Sequence, residues 1–216
     1  TPWASSRTRM RPNGWSAMAP PSIGPRHRTR DGRAAPRETG RIWNAGECPR
    51  GRLLSGVHMF VLGIDPGLTR TGFGLLRAGH PPEAVAAGVI RTDPARDTPS
   101  RLAELFDDLS AVIAERRPDV VAVERIFTNR NLQTALAVGR ASGIVLLAAA
   151  RAGIPVVEYR PSNVKLSVTG DGSADKRMVG EMVVRRLRLD RPPRPADTAD
   201  ALAVALCHLQ TLRVPA

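Results

Sequence analysis

Phe60-Val61-Leu62-Gly63-Ile64-Asp65-Pro66-Gly67 is the stretch on which the fold turns. Apolar and small residues run straight into a carboxylate and then a Pro-Gly turn signal, which reads as a short buried strand ending before Asp65. Residues 72–77 and 84–91 read as two further short strands, separated by Gly79-His80-Pro81-Pro82. Leu102, Leu105, Phe106, Leu109, Val112 and Ile113 then recur at helical spacing, so a helix is expected there, capped by Ser100 and stopped by Pro118. Residues 120–123 are continuously apolar, the pattern of a strand buried on both faces. A long helix over 131–151, a strand over 155–159, and helices over 161–169, 174–187 and 196–212 complete the chain. Three meander-like strands followed by strand–helix alternation predict one α/β domain built on a mixed sheet.

The 216 residues suit one such domain with chain to spare, and 42% hydrophobic with 24% charged residues is ordinary for a globular protein. The net charge of +12 is unevenly placed. Residues 1–58 hold 11 Arg against Asp31, Glu38 and Glu47, a net of +8, so the remainder is only mildly basic. That remainder permits a polyanionic partner without demanding one. Residues 1–58 also carry seven Pro and seven Gly and show neither helical nor strand periodicity. They are expected to be a disordered basic extension, with Met59 read as the true translation start. A DNA-binding arm is the alternative. Residues 59–216 are then the folded domain. The longest uninterrupted apolar run is only the eight residues 143–150, from which no membrane-spanning helix is expected. Two cysteines, Cys48 and Cys207, make neither a disulfide framework nor a metal knuckle, and suit a reducing, cytoplasmic setting.

Two carboxylates stand out. Asp65 follows the first strand directly, and Glu124 follows the buried run 120–123. Carboxylates beside buried strands are costly unless paired or holding a cation. If these strands are parallel neighbours, both groups emerge at one sheet edge, where ligands bind in open α/β sheets. Either alone reads better as a turn-capping residue. Asp197 and Asp200, three apart on the last helix, share a face. They could simply offset the helix dipole. Yet Ala196, Ala199, Ala201 and Ala203 surround them, as close packing on a sheet would require. Four carboxylates converging from two strand ends and one helix would repel unless divalent cations bridge them, and paired cations suit phosphodiester cleavage.

Gly63-Ile64-Asp65-Pro66-Gly67 with Thr71-Gly72-Phe73-Gly74, then Val123-Glu124 with Phe127, then Gly172-Ser173-Ala174-Asp175-Lys176, then Ala196-Asp197-Thr198-Ala199-Asp200-Ala201-Leu202 together resemble the bacterial RuvC Holliday-junction resolvases. Order and spacing agree over essentially all of residues 59–216. The resemblance implies a ribonuclease H-like fold, with a five-stranded mixed sheet flanked by helices. It implies a homodimer that cuts a four-way DNA junction by two symmetric nicks, using Mg²⁺ (or Mn²⁺), two ions per site. By position it makes Asp65, Glu124, Asp197 and Asp200 the metal-binding carboxylates and Phe127 an aromatic that stacks at the junction. It places Lys165 and Lys176 near the scissile phosphate and implies the RuvA–RuvB branch-migration complex as a partner. These two are the only lysines among 32 basic residues, and an ammonium is a point charge where a guanidinium is a fork.

Taken alone, Phe127 reads as core packing and Lys176 as a surface residue after a cap at Ser173. Arg125 and Arg130 flank Phe127 and could contact the DNA backbone. His208 reads as a hydrogen-bonded core or rim residue. A junction-binding protein without nuclease activity is one alternative, and a resolvase-related RNA-processing enzyme another. An actin-like nucleotide-binding domain is a third, although Asp171-Gly172-Ser173 is a poor second phosphate loop. The helix over 131–151, apolar beyond a single stripe, is the candidate dimer surface.

Overall fold

The computed structural model describes the backbone of residues 42–44 and the residues 59–125 and 132–212. Six strands form one sheet: β1 (Ile42–Asn44), β2 (Phe60–Asp65), β3 (Arg70–Arg77), β4 (Glu83–Arg91), β5 (Val120–Glu124) and β6 (Val156–Tyr159), in the spatial order β1-β6-β5-β2-β3-β4. β2, β3 and β4 are an antiparallel meander, while β2, β5, β6 and β1 pair in parallel. The helices are α1 (Thr98–Arg116), α2 (Leu132–Arg151), α3 (Pro161–Thr169), α4 (Lys176–Leu187) and α5 (Ala196–Thr211).

The period-two alternation of β2 divides the core. Val61 joins Leu202, Leu206 and Leu209 of α5 and Val183 of α4 on one face. Leu62 and Ile64 join Leu105, Leu109, Val145 and Ala149 of α1 and α2 on the other. Val120 to Val123 are wholly buried, as a central parallel strand covered on both faces must be.

The five strands expected after Met59 are all present, and the mixed sheet is as expected. The sixth strand is a departure. β1 lies within residues 1–58, for which no regular structure is expected, and the three residues Ile42–Asn44 add in parallel to the β6 edge. Three residues are too few to show periodicity, and their pairing rests on backbone groups that every sequence carries. The rest of residues 1–58 lies outside the described residues.

Two expected caps are corrected. The Asp97 carboxylate, not Ser100, caps α1: it accepts the Ser100 N–H at 2.9 Å and the Ser100 hydroxyl at 2.8 Å. Asp175, not Ser173, caps α4 by accepting the Met178 N–H at 2.7 Å, so this helix starts at Lys176. Ser173 donates instead to Asp171, from its N–H at 2.8 Å and its hydroxyl at 2.7 Å. In both cases a carboxylate outcompetes a nearby hydroxyl, since a charged acceptor bonds an N-terminal N–H more strongly.

α2 is also more apolar than its longest uninterrupted run indicates. By length and composition (20 residues, mean hydropathy 1.5) it could cross a membrane. Here it is a surface helix of the sheet layer, burying Ala141, Ser142, Val145, Ala148 and Ala149 against α1 and the sheet.

Candidate active site

Asp65 and Glu124 are the last residues of β2 and β5. The two strands are parallel neighbours with Ile64 opposite Val123, so the next register positions bring the carboxylates together at one edge of the sheet. Each carboxylate lies in the field of the other, and the Glu124 charge raises the Asp65 pKa.

α5 supplies the other two carboxylates, and glycines in the sheet let it do so. A Cβ at Gly72 would overlap the Asp197 carbonyl oxygen, and one at Gly63 would overlap the Ala201 carbonyl oxygen and lie 2.7 Å from the Ala205 nitrogen. Gly74, paired with Gly63 across the two strands, meets Leu202 in the same way. The backbone of α5 therefore rests directly on β2 and β3. Gly72 is itself the partner of Asp65 in the ladder. Seating Asp197 on Gly72 thus places the first turn of α5 over the Asp65–Glu124 pair, and the small residues along α5 make this approach possible.

The electrostatics follow from that convergence. The pKa of Asp65 is pushed up to about 7, first by burial and then by the charges of Glu124, Asp200 and Asp197, with Lys176 opposing. Glu124 is raised by burial and by Asp200. Lys176 Nζ donates to Asp200 Oδ2 at 2.8 Å, which raises the lysine pKa in turn. The Lys165 charge also lowers the Glu124 value. Among the described residues no three His, Cys, Asp or Glu side chains close around one ion position. Positive charge reaches the cluster as the Lys176 ammonium and as Arg70, whose Nη1 lies 4.0 Å from Asp197 Oδ2. The donors are nonetheless all carboxylate oxygens, the set that hard divalent cations take. Asp65, pushed up to about 7 by burial and its acidic neighbours, marks the place where added positive charge is most favourable.

Of the other candidate residues, Arg125 is exposed at the end of β5 and its N–H donates to the Tyr159 carbonyl at 2.7 Å. Phe127 and Arg130 lie outside the described residues. His208 is buried two turns along α5 from Asp200, with Nδ1 2.7 Å from the Tyr159 hydroxyl. Burial pushes its pKa down to about 4, so it is a neutral core residue, as expected.

Two contributors escape the sequence reading. Arg70 is one. The other is Arg101, buried on α1, which donates from Nε to the Thr92 hydroxyl at 2.9 Å and from Nη2 to the Thr69 hydroxyl at 2.8 Å. Thr92 in turn donates to the Leu68 carbonyl at 2.6 Å. This network pins the loop that leaves Asp65. Its signal is available in the sequence: Arg101 stands four and eight residues before Leu105 and Leu109, on the apolar stripe of its helix.

Comparison with known proteins places this geometry. Residues 61–208 match the family model "Crossover junction endodeoxyribonuclease RuvC". A relative of that name from Salinispora arenicola is 55% identical over 153 residues, covering 70% of this chain and 87% of its own. One from Streptomyces coelicolor is 48% identical over 153 residues, covering 70% and 81%. Among solved structures, Thermus thermophilus RuvC in complex with Holliday junction substrate superposes with a TM-score of 0.67 at 40% identity, over 70% of this chain and 93% of that one. Its fold and its sequence over residues 61–208 agree with these relatives: the chain belongs to the RuvC family of crossover junction endodeoxyribonucleases, hydrolases of ribonuclease H-like fold.

Proposed function

We propose that this chain resolves four-way DNA junctions as a homodimer, each protomer nicking one strand with Asp65, Glu124, Asp197 and Asp200 holding two Mg²⁺ ions, for which Mn²⁺ substitutes. The observation that carries the metal assignment is the Asp65–Glu124 pair, two half-buried carboxylates at adjacent ends of parallel strands whose burial and mutual repulsion push Asp65 up to about 7. Bound divalent cations supply an activated water and neutralise charge developing on the leaving oxygen. The protein's own part is positioning. Asp65 and Glu124 are fixed by the ladder, and Asp197 and Asp200 by the seat of α5 on the glycines. Lys176 and Lys165 offer ammonium groups to a phosphate entering beside the carboxylates. Phe127 is assigned to stacking at the junction, and Arg125 and Arg130 to the DNA backbone near it. Residues 59–216 constitute the nuclease domain, and the RuvA–RuvB branch-migration complex is its partner by likeness to the family.

An end-labelled four-way junction and a linear duplex of the same sequences test this reading. The full chain is expected to make paired nicks in the junction alone, with Mg²⁺ or Mn²⁺ and not with chelator. Junction binding without nicks in either metal would reduce the protein to a binding module.

The homodimer rests on α2. Leu132, Leu136 and Leu147 of this helix are 75%, 44% and 48% exposed, and Gly143 lies between them with nothing within 4 Å of where its Cβ would be. A helix-interior glycine costs about 1 kcal/mol relative to alanine, and among the described residues no contact accounts for it. A second copy packed on the stripe would use the space, and a stripe meeting its own copy gives a two-fold interface. Leu136→Glu combined with Leu147→Glu is expected to reduce the mass in sedimentation from two chains to one. It should also uncouple the two nicks, so that singly nicked junctions accumulate.

A further inference from the structure

Lys176 opens α4 and bonds to Asp200 near the start of α5, so the two helices begin side by side at the carboxylate edge. Their other ends meet as well. Arg186 lines a small cavity with Leu206, Leu209 and Gln210, late in α5. The helices therefore run parallel, and residues 188–195 must carry the chain back along α5 to the site. That return covers about 20 Å, the helical rise from Ala196 to Gln210, within the roughly 30 Å that the nine steps from Leu187 to Ala196 can span.

The segment reads Arg188-Leu189-Asp190-Arg191-Pro192-Pro193-Arg194-Pro195. Leu189 packs against the α5-side core and Pro193 is buried, which fixes the segment to the body of the domain. Its three prolines restrict the backbone further. Arg188, Arg191 and Arg194 recur every third residue and are all exposed, against the single acid Asp190. Among the described residues no ion pair takes up Arg188 or Arg194. The row ends three residues before Asp197.

We propose that residues 188–195 form a phosphate-gripping strap, a row of guanidinium groups on a stiff spine that holds the DNA arm running away from the carboxylates along α5. The proposal rests on the nuclease reading above, which puts the scissile strand where the row ends. Guanidinium forks take phosphate oxygens in pairs. The prolines and the buried anchors lower the ordering entropy that a flexible basic loop would lose on binding.

The test measures junction affinity of the full chain by anisotropy in chelator, across a series of salt concentrations. The variants are Arg188→Gln/Arg191→Gln/Arg194→Gln, the same three changed to Lys, and a control, Arg116→Gln/Arg117→Gln, at the opposite sheet edge. Each phosphate that no longer meets a guanidinium reduces the slope of log affinity against log salt by about 0.9. The triple Gln variant is expected to lower that slope by about 2–3 and weaken binding at least tenfold. The Lys variant should recover most of the slope, and the control should match wild type. With metal, the Gln variant should raise KM far more than it lowers kcat. If its slope and affinity equal those of wild type while wild type binds junctions, the strap is refuted and the nuclease reading stands. If wild type itself fails to bind junctions, the nuclease reading falls first.

Discussion

Asp65→Asn should make the protein more stable and leave it almost inactive. The carboxyl of Asp65 is raised from 3.8 to about 7 by burial and by its acidic neighbours. A group whose folded pKa lies above its unfolded one binds its proton more tightly when folded, so stability falls as pH rises from about 4 to about 7 and the full penalty remains above that range. For a shift of this size the penalty is about 2–4 kcal/mol. Asparagine carries no charge, and its amide N–H can donate to Glu124. In chelator at pH 8 the variant should therefore melt about 5 °C or more above wild type. At pH 4, where Asp65 is protonated in the folded state and partly so in the unfolded one, the difference should shrink to a small fraction of its value at pH 8.

Added Mg²⁺ should reverse the order. The cation relieves the repulsion in wild type and raises its Tm, whereas in the variant one ligand is missing and the rise is small. Loss of a metal carboxylate forfeits several kcal/mol of transition-state stabilisation, so the cleavage rate should fall about 10³-fold or more. Junction affinity measured in chelator should be unchanged or slightly better, since a negative charge facing phosphate has been removed. Melting curves at two pH values, with and without Mg²⁺, and a single-turnover cleavage assay provide all of these readouts. A variant that melts below wild type at pH 8 in chelator would overturn the electrostatic account, and one that still cleaves would overturn the metal assignment.

The sequence exposes this site because its carboxylates interrupt strong patterns. Asp65 and Glu124 each close a run of apolar residues, and strand length alone puts them at comparable ends. Asp197 and Asp200 share a helix face whatever that helix packs on. The alanines of α5 announce a close approach, but its target cannot be read from them. Only the register of β2 against β3 shows that Gly63, Gly72 and Gly74 face α5. The bond between Lys176 and Asp200 joins residues 24 apart and depends on how α4 meets α5. The caps of α1 and α4 are misplaced for a local reason. Asp97 and Ser100, or Ser173 and Asp175, are competing acceptors within one turn, and where each helix begins is settled by packing. β1 is out of reach for lack of any side-chain pattern.

Gly72→Ala should damage both the fold and the chemistry, through a single methyl group. The new Cβ would overlap the Asp197 carbonyl oxygen and lie 2.8 Å from its carbonyl carbon. Both are backbone atoms of the first turn of α5, so neither can move aside by changing a rotamer. The helix start must lift from the sheet. Overpacking against backbone costs about 3 kcal/mol, which for a domain of this size lowers Tm by about 10 °C. Lifting the turn also carries Asp197 away from Asp65, which Gly72 faces across the ladder, so cleavage should fall at least 100-fold at a temperature where the variant is fully folded. Gly180→Ala is the matched control. It lies within α4 with nothing within 4 Å of its Cβ position, so the same methyl should raise Tm by up to a few degrees through helix propensity and leave cleavage unchanged. If Gly72→Ala instead melts and cleaves like wild type, α5 does not rest on the sheet backbone, and the convergence of the four carboxylates needs another explanation.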